Sequence, residues 1–143
     1  MDRLMGLILS EAQRCAHQSQ SYHHHGAVLL HRNNIIAKGY NRRDRPKLQQ
    51  HCLTCSTHAE MDCMRHLIKQ KPTKFKKYII LVVRVTRAGT LCNSRPCTVC
   101  INLMNKIGIH KVYYSVEGGG IAMERCKHMK HTHLSSGTIF KDR

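Results

Sequence analysis

His58-Ala59-Glu60 and, further along, Pro96-Cys97-Thr98-Val99-Cys100 are the stretches on which the reading of this chain turns. One histidine and two cysteines suffice to hold a zinc ion. Three protein ligands leave the fourth position of a tetrahedral ion open to water, which separates a catalytic zinc from a structural one. Glu60, just past the histidine, is then available to move protons. Cys97 and Cys100 are spaced to share one face in the first turn of a helix, and Pro96 suits such a start. The partial positive charge of a helix N-terminus lowers thiol pKa and favours thiolate ligands. Two thiolates and a neutral imidazole bring a Zn²⁺ site close to neutrality, and a water there ionises near neutral pH.

Two other readings of these residues stand beside this one. Thr57 and Glu60 have the spacing of a capping box, in which the glutamate only caps a helix. The zinc site is closed if His51, Cys52 or Cys55 supplies a fourth ligand. Cys52-Leu53-Thr54-Cys55 can also be half of a second zinc site, with His51, Cys63 or Cys92, or two plain loop thiols.

Outward from these motifs, the spacing of Leu4, Leu7, Ile8, Ala12 and Cys15 predicts an amphipathic helix over Asp2 to His17. Ala27 to Leu30 and Ile35 to Ala37, flanking Arg32-Asn33-Asn34, predict a β-hairpin closed by Gly39-Tyr40-Asn41. The polar, basic stretch from Asn41 to Thr57 reads as a long loop. A helix is expected from His58 to about Lys69 with Thr57 as N-cap. The apolar, β-branched run Tyr78 to Val85 predicts a strand covered on both faces. A helix from Pro96 ends before Gly108, Lys111 to Val116 is a strand, and a short helix is expected around Ile121 to Lys130 after the Gly118-Gly119-Gly120 break. The pattern implies an α/β fold, a three-layer α-β-α sandwich with a central mixed five-stranded sheet. The later strands should pair in parallel, and residues 1–143 should form one domain.

Twenty-four Lys and Arg against eight Asp and Glu give a formal charge of +16. That excess favours a polyanion, RNA or DNA, as partner. Arg42, Arg43, Arg45 and Lys47 make one basic run and Lys69, Lys71, Lys74, Lys76 and Lys77 another. No apolar run approaches the ~20 residues that span a bilayer, so no membrane role is expected. The stretch Leu4 to Leu9 is short and lacks a small-residue cleavage site, so no signal peptide is expected either. Eight cysteines without export signals fit a reducing, intracellular compartment and metal use rather than disulfides. Cys15, Cys63, Cys92 and Cys126 read mostly as buried thiols.

At His58-Ala59-Glu60 and Pro96-Cys97-x-x-Cys100 the chain resembles the cytidine deaminase-like superfamily, whose signature is H-x-E…P-C-x-x-C. It resembles especially the cytidine and deoxycytidylate deaminases and the tRNA adenosine deaminases. His25-Gly26-Ala27-Val28-Leu29-Leu30, Gly39-Tyr40-Asn41, Asn93-Ser94-Arg95 and Gly108 to Tyr114 extend the resemblance over residues from about 24 to 116. The resemblance implies that His58, Cys97 and Cys100 hold zinc and that Glu60 is the catalytic proton shuttle. It implies that Asn41 binds sugar or base, that the backbone of Ala59 faces the ring, and that the Asn93 to Arg95 segment borders the pocket, so that Arg95 is a substrate contact. The implied reaction is hydrolytic. A zinc-activated water adds to the amino-bearing ring carbon, Glu60 protonates the ring nitrogen, and ammonia leaves. Arg95 and Asp62 depart from the residues common in the best-known branches. The overall look is closest to deaminase-like proteins of microbial eukaryotes and large DNA viruses.

Three functions are therefore expected in order. The first is a zinc hydrolase deaminating a cytosine-type nucleoside or nucleotide, with deoxycytidylate or cytidine favoured, in nucleotide metabolism. The second is a deaminase acting on RNA or DNA. The third is a non-catalytic, basic nucleic-acid-binding or virion assembly protein on the same fold. Cytoplasm, nucleus and virion all fit, and relatives by resemblance form homo-oligomers.

Overall fold

The apolar run Tyr78–Val85 lies at the centre of the sheet, paired along both edges, as its continuous hydrophobicity requires. The computed structural model describes residues 2–20, 23–43, 56–69 and 77–129. In chain order its elements are α1 (Asp2–His17), β1 (His24–His31), β2 (Asn34–Tyr40), β3 (Arg42–Arg43), β4 (Ser56–Thr57), α2 (Ala59–Lys69), β5 (Tyr78–Val85), β6 (Leu91–Cys92), α3 (Thr98–Ile107), β7 (Ile109–Ser115) and β8 (Ile121–Arg125), followed by a 3-10 turn at Cys126–His128.

The main sheet runs β2-β1-β5-β7-β8, with β6 laid against the end of β5. β1 pairs antiparallel with both β2 and β5, whereas β5 and β7 are parallel, joined through α3. The expected α/β fold with a mixed five-strand core is thus the one found. The β1–β2 hairpin turns at Arg32 (φ 52°) and Asn33 (φ 66°), the left-handed pair that a tight hairpin turn needs.

Side chains alternate across the sheet and build two apolar layers. Val28 and Leu30 of β1 with Leu81, Val83 and Val85 of β5 pack against Ile8, Ala12 and Ala16 of α1. Ala27, Leu29, Ile80, Val82, Val112 and Tyr114 face the other way, towards Cys63 and Met64 of α2 and Ile101 and Met104 of α3. Two glycines let helices approach closely. A Cβ on Gly26 would stand 2.1 Å from the carbonyl oxygen of Ala12, and one on Gly39 would stand 2.5 Å from the amide nitrogen of Cys63. Backbone therefore meets backbone where α1 crosses β1 and where α2 crosses β2.

Three expectations need correction. Residues 121–125 are not helical but form β8, antiparallel to β7, and only the 3-10 turn follows. The chain doubles back through Gly118 (φ 90°) and Gly119 (φ 93°), a connection too short for a parallel return, so only β5–β7 has the parallel pairing expected of the later strands. Thr57 is not the N-cap of α2. It lies in β4, paired with Arg42, while the carbonyl of His58 accepts the first helical bond from the amide of Asp62 at 3.0 Å. His58 itself thus takes the N-cap place, one residue later than expected, and the Thr57–Glu60 capping box lapses. The basic positions Arg45, Lys47, Lys71, Lys74 and Lys76 lie outside the described residues, as do His51, Cys52 and Cys55.

Candidate metal centre and active site

The start of α2 brings His58 to the start of α3, where Cys97 and Cys100 stand. Cys97 is the N-cap of α3 in extended conformation (φ −76°, ψ 169°), and its thiol makes no capping hydrogen bond. The thiol is instead turned to Cys100, in the first turn of the same helix, and to His58 across from it. Cys100 is fully buried in the first turn. The ligand atoms of His58, Cys97 and Cys100 all lie within 4.8 Å of one another. Nδ1 of His58 is 3.2 Å from Sγ of Cys100 and 3.6 Å from Sγ of Cys97, so Nδ1 is the nitrogen that faces the thiols.

A buried serine pair fixes the approach to Cys97. Ser94 Oγ donates to the carbonyl of Val82 at 2.8 Å and lies 2.8 Å from Ser115 Oγ. The amide of Ser94 donates to the carbonyl of Ser115 at 2.8 Å, tying the chain before Pro96 to the ends of β5 and β7.

The electrostatics fit a divalent cation. Cys97 is pulled down to about 3, first by the hydrogen bond with Cys100 and then by that with His58. Cys100 is pushed well above the usual thiol range, first by the same hydrogen bond and then by burial. The pair shares a proton that a metal ion would displace. Two sulfurs and one imidazole nitrogen, converging inside a mostly buried cluster, are the donor set zinc prefers.

Glu60, on the first turn of α2, is only 5% exposed, and burial raises its carboxyl above the ordinary range. The neighbouring His58 pulls the other way, and the Cys100 thiol is a hydrogen-bond partner. A buried carboxyl with a raised pKa, next to a potential metal, is suited to taking up and returning a proton.

A description of the cytidine and deoxycytidylate deaminase zinc-binding region matches residues 1–116. The chain belongs to that family. Its fold is similar to that of the cytidine deaminase from Burkholderia pseudomallei, at 16% identity and a TM-score of 0.63, over 85% of this chain and 91% of that one. It is also similar to the dCMP deaminase from the cyanophage S-TIM5, at 19% identity and a TM-score of 0.60, over 80% of this chain and 83% of that one. At these identities the likeness establishes the fold. No curated protein matches the chain by sequence. Among the described residues no helix is long and apolar enough to cross a membrane.

Within that family frame the remaining candidate residues can be located. Ala59 is fully buried, its side chain in the core beneath α2 and its carbonyl against Gly39. Asn41 uses both ends of its amide on backbone. Oδ1 accepts from the amide of His25 at 2.9 Å, and Nδ2 donates to the carbonyl of His23 at 2.6 Å. Arg95 turns to β8, where Nε donates to Oε2 of Glu124 at 2.9 Å, and the Tyr114 hydroxyl donates to the same oxygen at 2.6 Å. Asp62 accepts from the amide of Tyr40 at 3.2 Å and pairs with Arg42, locking α2 to the chain that enters β3.

Sequence reasoning missed Glu124 and Tyr114, the partners of Arg95, and gave no role to His25 or Arg84. Glu124 was hidden by the helix expected there. No local pattern announces the others, since each gains its neighbours only through sheet register.

Proposed function

We propose that the protein is a zinc-dependent hydrolytic deaminase of a cytosine-type nucleoside or nucleotide, with His58, Cys97 and Cys100 as the zinc ligands. The observation that carries this reading is the buried carboxyl of Glu60 beside the convergent ligand atoms of those three residues. A closed structural site has no use for a buried carboxyl, whose burial costs stability.

Zinc, when bound, supplies the Lewis acidity that ionises water near neutral pH. Glu60 would take one proton from the attacking water and pass it to the ring nitrogen, then take the proton of the newly added hydroxyl and pass it to the amine, which leaves as ammonia as the carbonyl forms. The N-terminal ends of α2 and α3 add partial positive charge where negative charge gathers. Asn41 holds the start of β1 in place, and Arg95, with its fork on Glu124, forms a wall of the site. The parts of the site from α2 and α3 are pinned to the sheet by Gly39 and by Ser94, so little reorganisation is needed as the reaction proceeds.

The net charge of +16 supports a second reading, deamination of RNA or DNA, because a field of that sign draws in polyanions. Ammonia release from cytidine, deoxycytidine, deoxycytidylate and a short single-stranded oligonucleotide tests both. Release that vanishes in Glu60→Ala establishes the reaction, and the responding substrate decides between the two readings. Zinc-loaded protein that releases nothing from any of them overturns both and favours a basic scaffold.

A further inference from the structure

Three arginines stand around the end of the sheet that carries the candidate metal centre. Arg42 lies in β3, opposite Thr57 and so next to His58. Arg95 immediately precedes the Pro96-Cys97 pair. Arg84 is near the end of β5, two residues beyond the Val82 carbonyl that holds Ser94. Two of the three are neutralised, Arg42 by Asp62 and Arg95 by Glu124. Among the described residues Arg84 meets no carboxylate. A nitrogen of its guanidinium instead lies 2.9 Å from Nδ1 of His23.

Register gives the direction of these side chains. Arg84 is directly opposite His25 in the β1–β5 ladder, so both leave the same face of the sheet. Ala27 and Val82, the next pair on that face, are in the core beneath α2 and α3, so this is the face of the metal centre. His25 is near enough to His58 to feel its charge. The rings of His25 and His23 meet edge to face with centroids 6.4 Å apart. His25 and His23 therefore stand beside Arg84 on that face. Their frame is rigid, because Asn41 brackets both backbones. The amide of Asn41 donates to the carbonyl of His25 at 3.3 Å, its Oδ1 accepts from the His25 amide, and its Nδ2 donates to the His23 carbonyl.

A guanidinium offers five donors in a planar fork, and His23 takes one of them as an acceptor. The rest suit two parallel bonds to an anion, the geometry arginine provides for phosphate. We propose that Arg84, oriented by His23 and His25, is an anion subsite of the candidate active site and receives the phosphate of a nucleoside monophosphate. This deepens the deaminase reading above and rests on it. Of the three described arginines at this end of the sheet one lacks a carboxylate partner, which matches one phosphate. A polynucleotide would need a row of such cations, and Arg42 and Arg95 are already committed to carboxylates.

Titration calorimetry on the full-length, zinc-loaded protein tests this, with Glu60→Gln as the background to suppress turnover. The ligands are deoxycytidine, its 5′-monophosphate and a short single-stranded oligonucleotide. The monophosphate should bind about ten- to a hundredfold more tightly than the nucleoside, the range of a charge-assisted pair. Arg84→Gln should erase that advantage and Arg84→Lys should restore part of it. Equal binding of nucleoside and monophosphate, an advantage that survives Arg84→Gln, or preference for the oligonucleotide overturns the subsite. Should Arg84→Gln fail to fold, inorganic phosphate provides the test with Arg84 unchanged. It must displace the monophosphate and leave nucleoside binding alone, and failure to do so counts against the proposal. Because these are binding measurements, a protein that prefers the monophosphate but deaminates nothing would sink the enzymatic reading and leave the anion site standing.

Discussion

Nδ1 of His58 lies 3.2 Å from Sγ of Cys100, across 42 residues of sequence, and no part of either helix beyond its first turn is needed to bring them there. The contact is made by two helix starts that face each other at one end of a parallel strand pair. Such an end is where α/β sheets place their ligands.

Metal removal follows from that contact. Protein as purified should hold one zinc per chain, and a chelator should lower its Tm. With free zinc at a thousandfold its Kd the stabilisation is about 4 kcal/mol, or roughly 8–16 °C for a domain of this size. Cys100→Ser should abolish both the bound metal and the chelator response. Metal analysis and thermal unfolding check this, and a Tm indifferent to chelator would remove zinc from the site.

Glu60→Gln should keep zinc and fold while turnover falls by about 10²- to 10⁴-fold, the usual worth of a positioned proton carrier. In the metal-free protein the same change should raise stability at neutral pH. Burial holds the Glu60 carboxyl above its unfolded value of 4.5, so the native state binds more protons and loses stability as pH rises through that window. Glutamine carries no such penalty. Unfolding curves of the two metal-free proteins should converge towards pH 4.5 and separate above it.

His25 predicts the opposite slope. Burial, then the charges of Arg84 and His58, hold its pKa down at about 3 against 6.5 unfolded. The unfolded chain therefore binds the extra proton, and stability falls as pH drops from about 6.5 towards 3. His25→Gln should flatten this part of the acid unfolding profile. An unchanged profile would show that His25 does not enter it.

Gly39→Ala should destabilise by about 2–3 kcal/mol or more, since its Cβ would press on the backbone of Cys63 and Ala59. Gly89→Ala is the contrast. Nothing lies within 4 Å of its Cβ position, and only the left-handed φ of 89° resists, at about 1–2 kcal/mol. Denaturant midpoints rank the two, and equal losses would deny the close approach of α2.

Much of this arrangement was legible in the residues. The zinc motif, the β1–β2 hairpin and the buried β5 all carry local signals, in ligand spacing, in turn residues and in a β-branched run. β8 did not. Ile121-Ala122-Met123-Glu124-Arg125 contains good helix formers, and propensity favoured a helix. The open edge of β7 overrode it, because its unpaired backbone groups were one glycine turn away. With β8 misread, the Glu124 partner of Arg95 could not be seen. The partners of Asn41 were equally hidden, since His23 and His25 become its neighbours only when β1 and β2 pair. Cys52 and Cys55, which could be half of a second zinc site or two plain loop thiols, fall outside the described residues.

Gly39 has a consequence for how this protein can diverge. Between most helices and sheets a cushion of side chains lies at the contact, and each exchange of a large residue for a small one lets the helix settle to a new height. Where α2 crosses β2 there is no cushion, only main chain on main chain. The crossing acts as a fixed datum, from which the height of His58 over the sheet is measured. Core residues further along α2, such as Met64 and Leu67, can then be replaced over generations while the span from His58 to Cys97 and Cys100 is kept to the tolerance of the backbone itself.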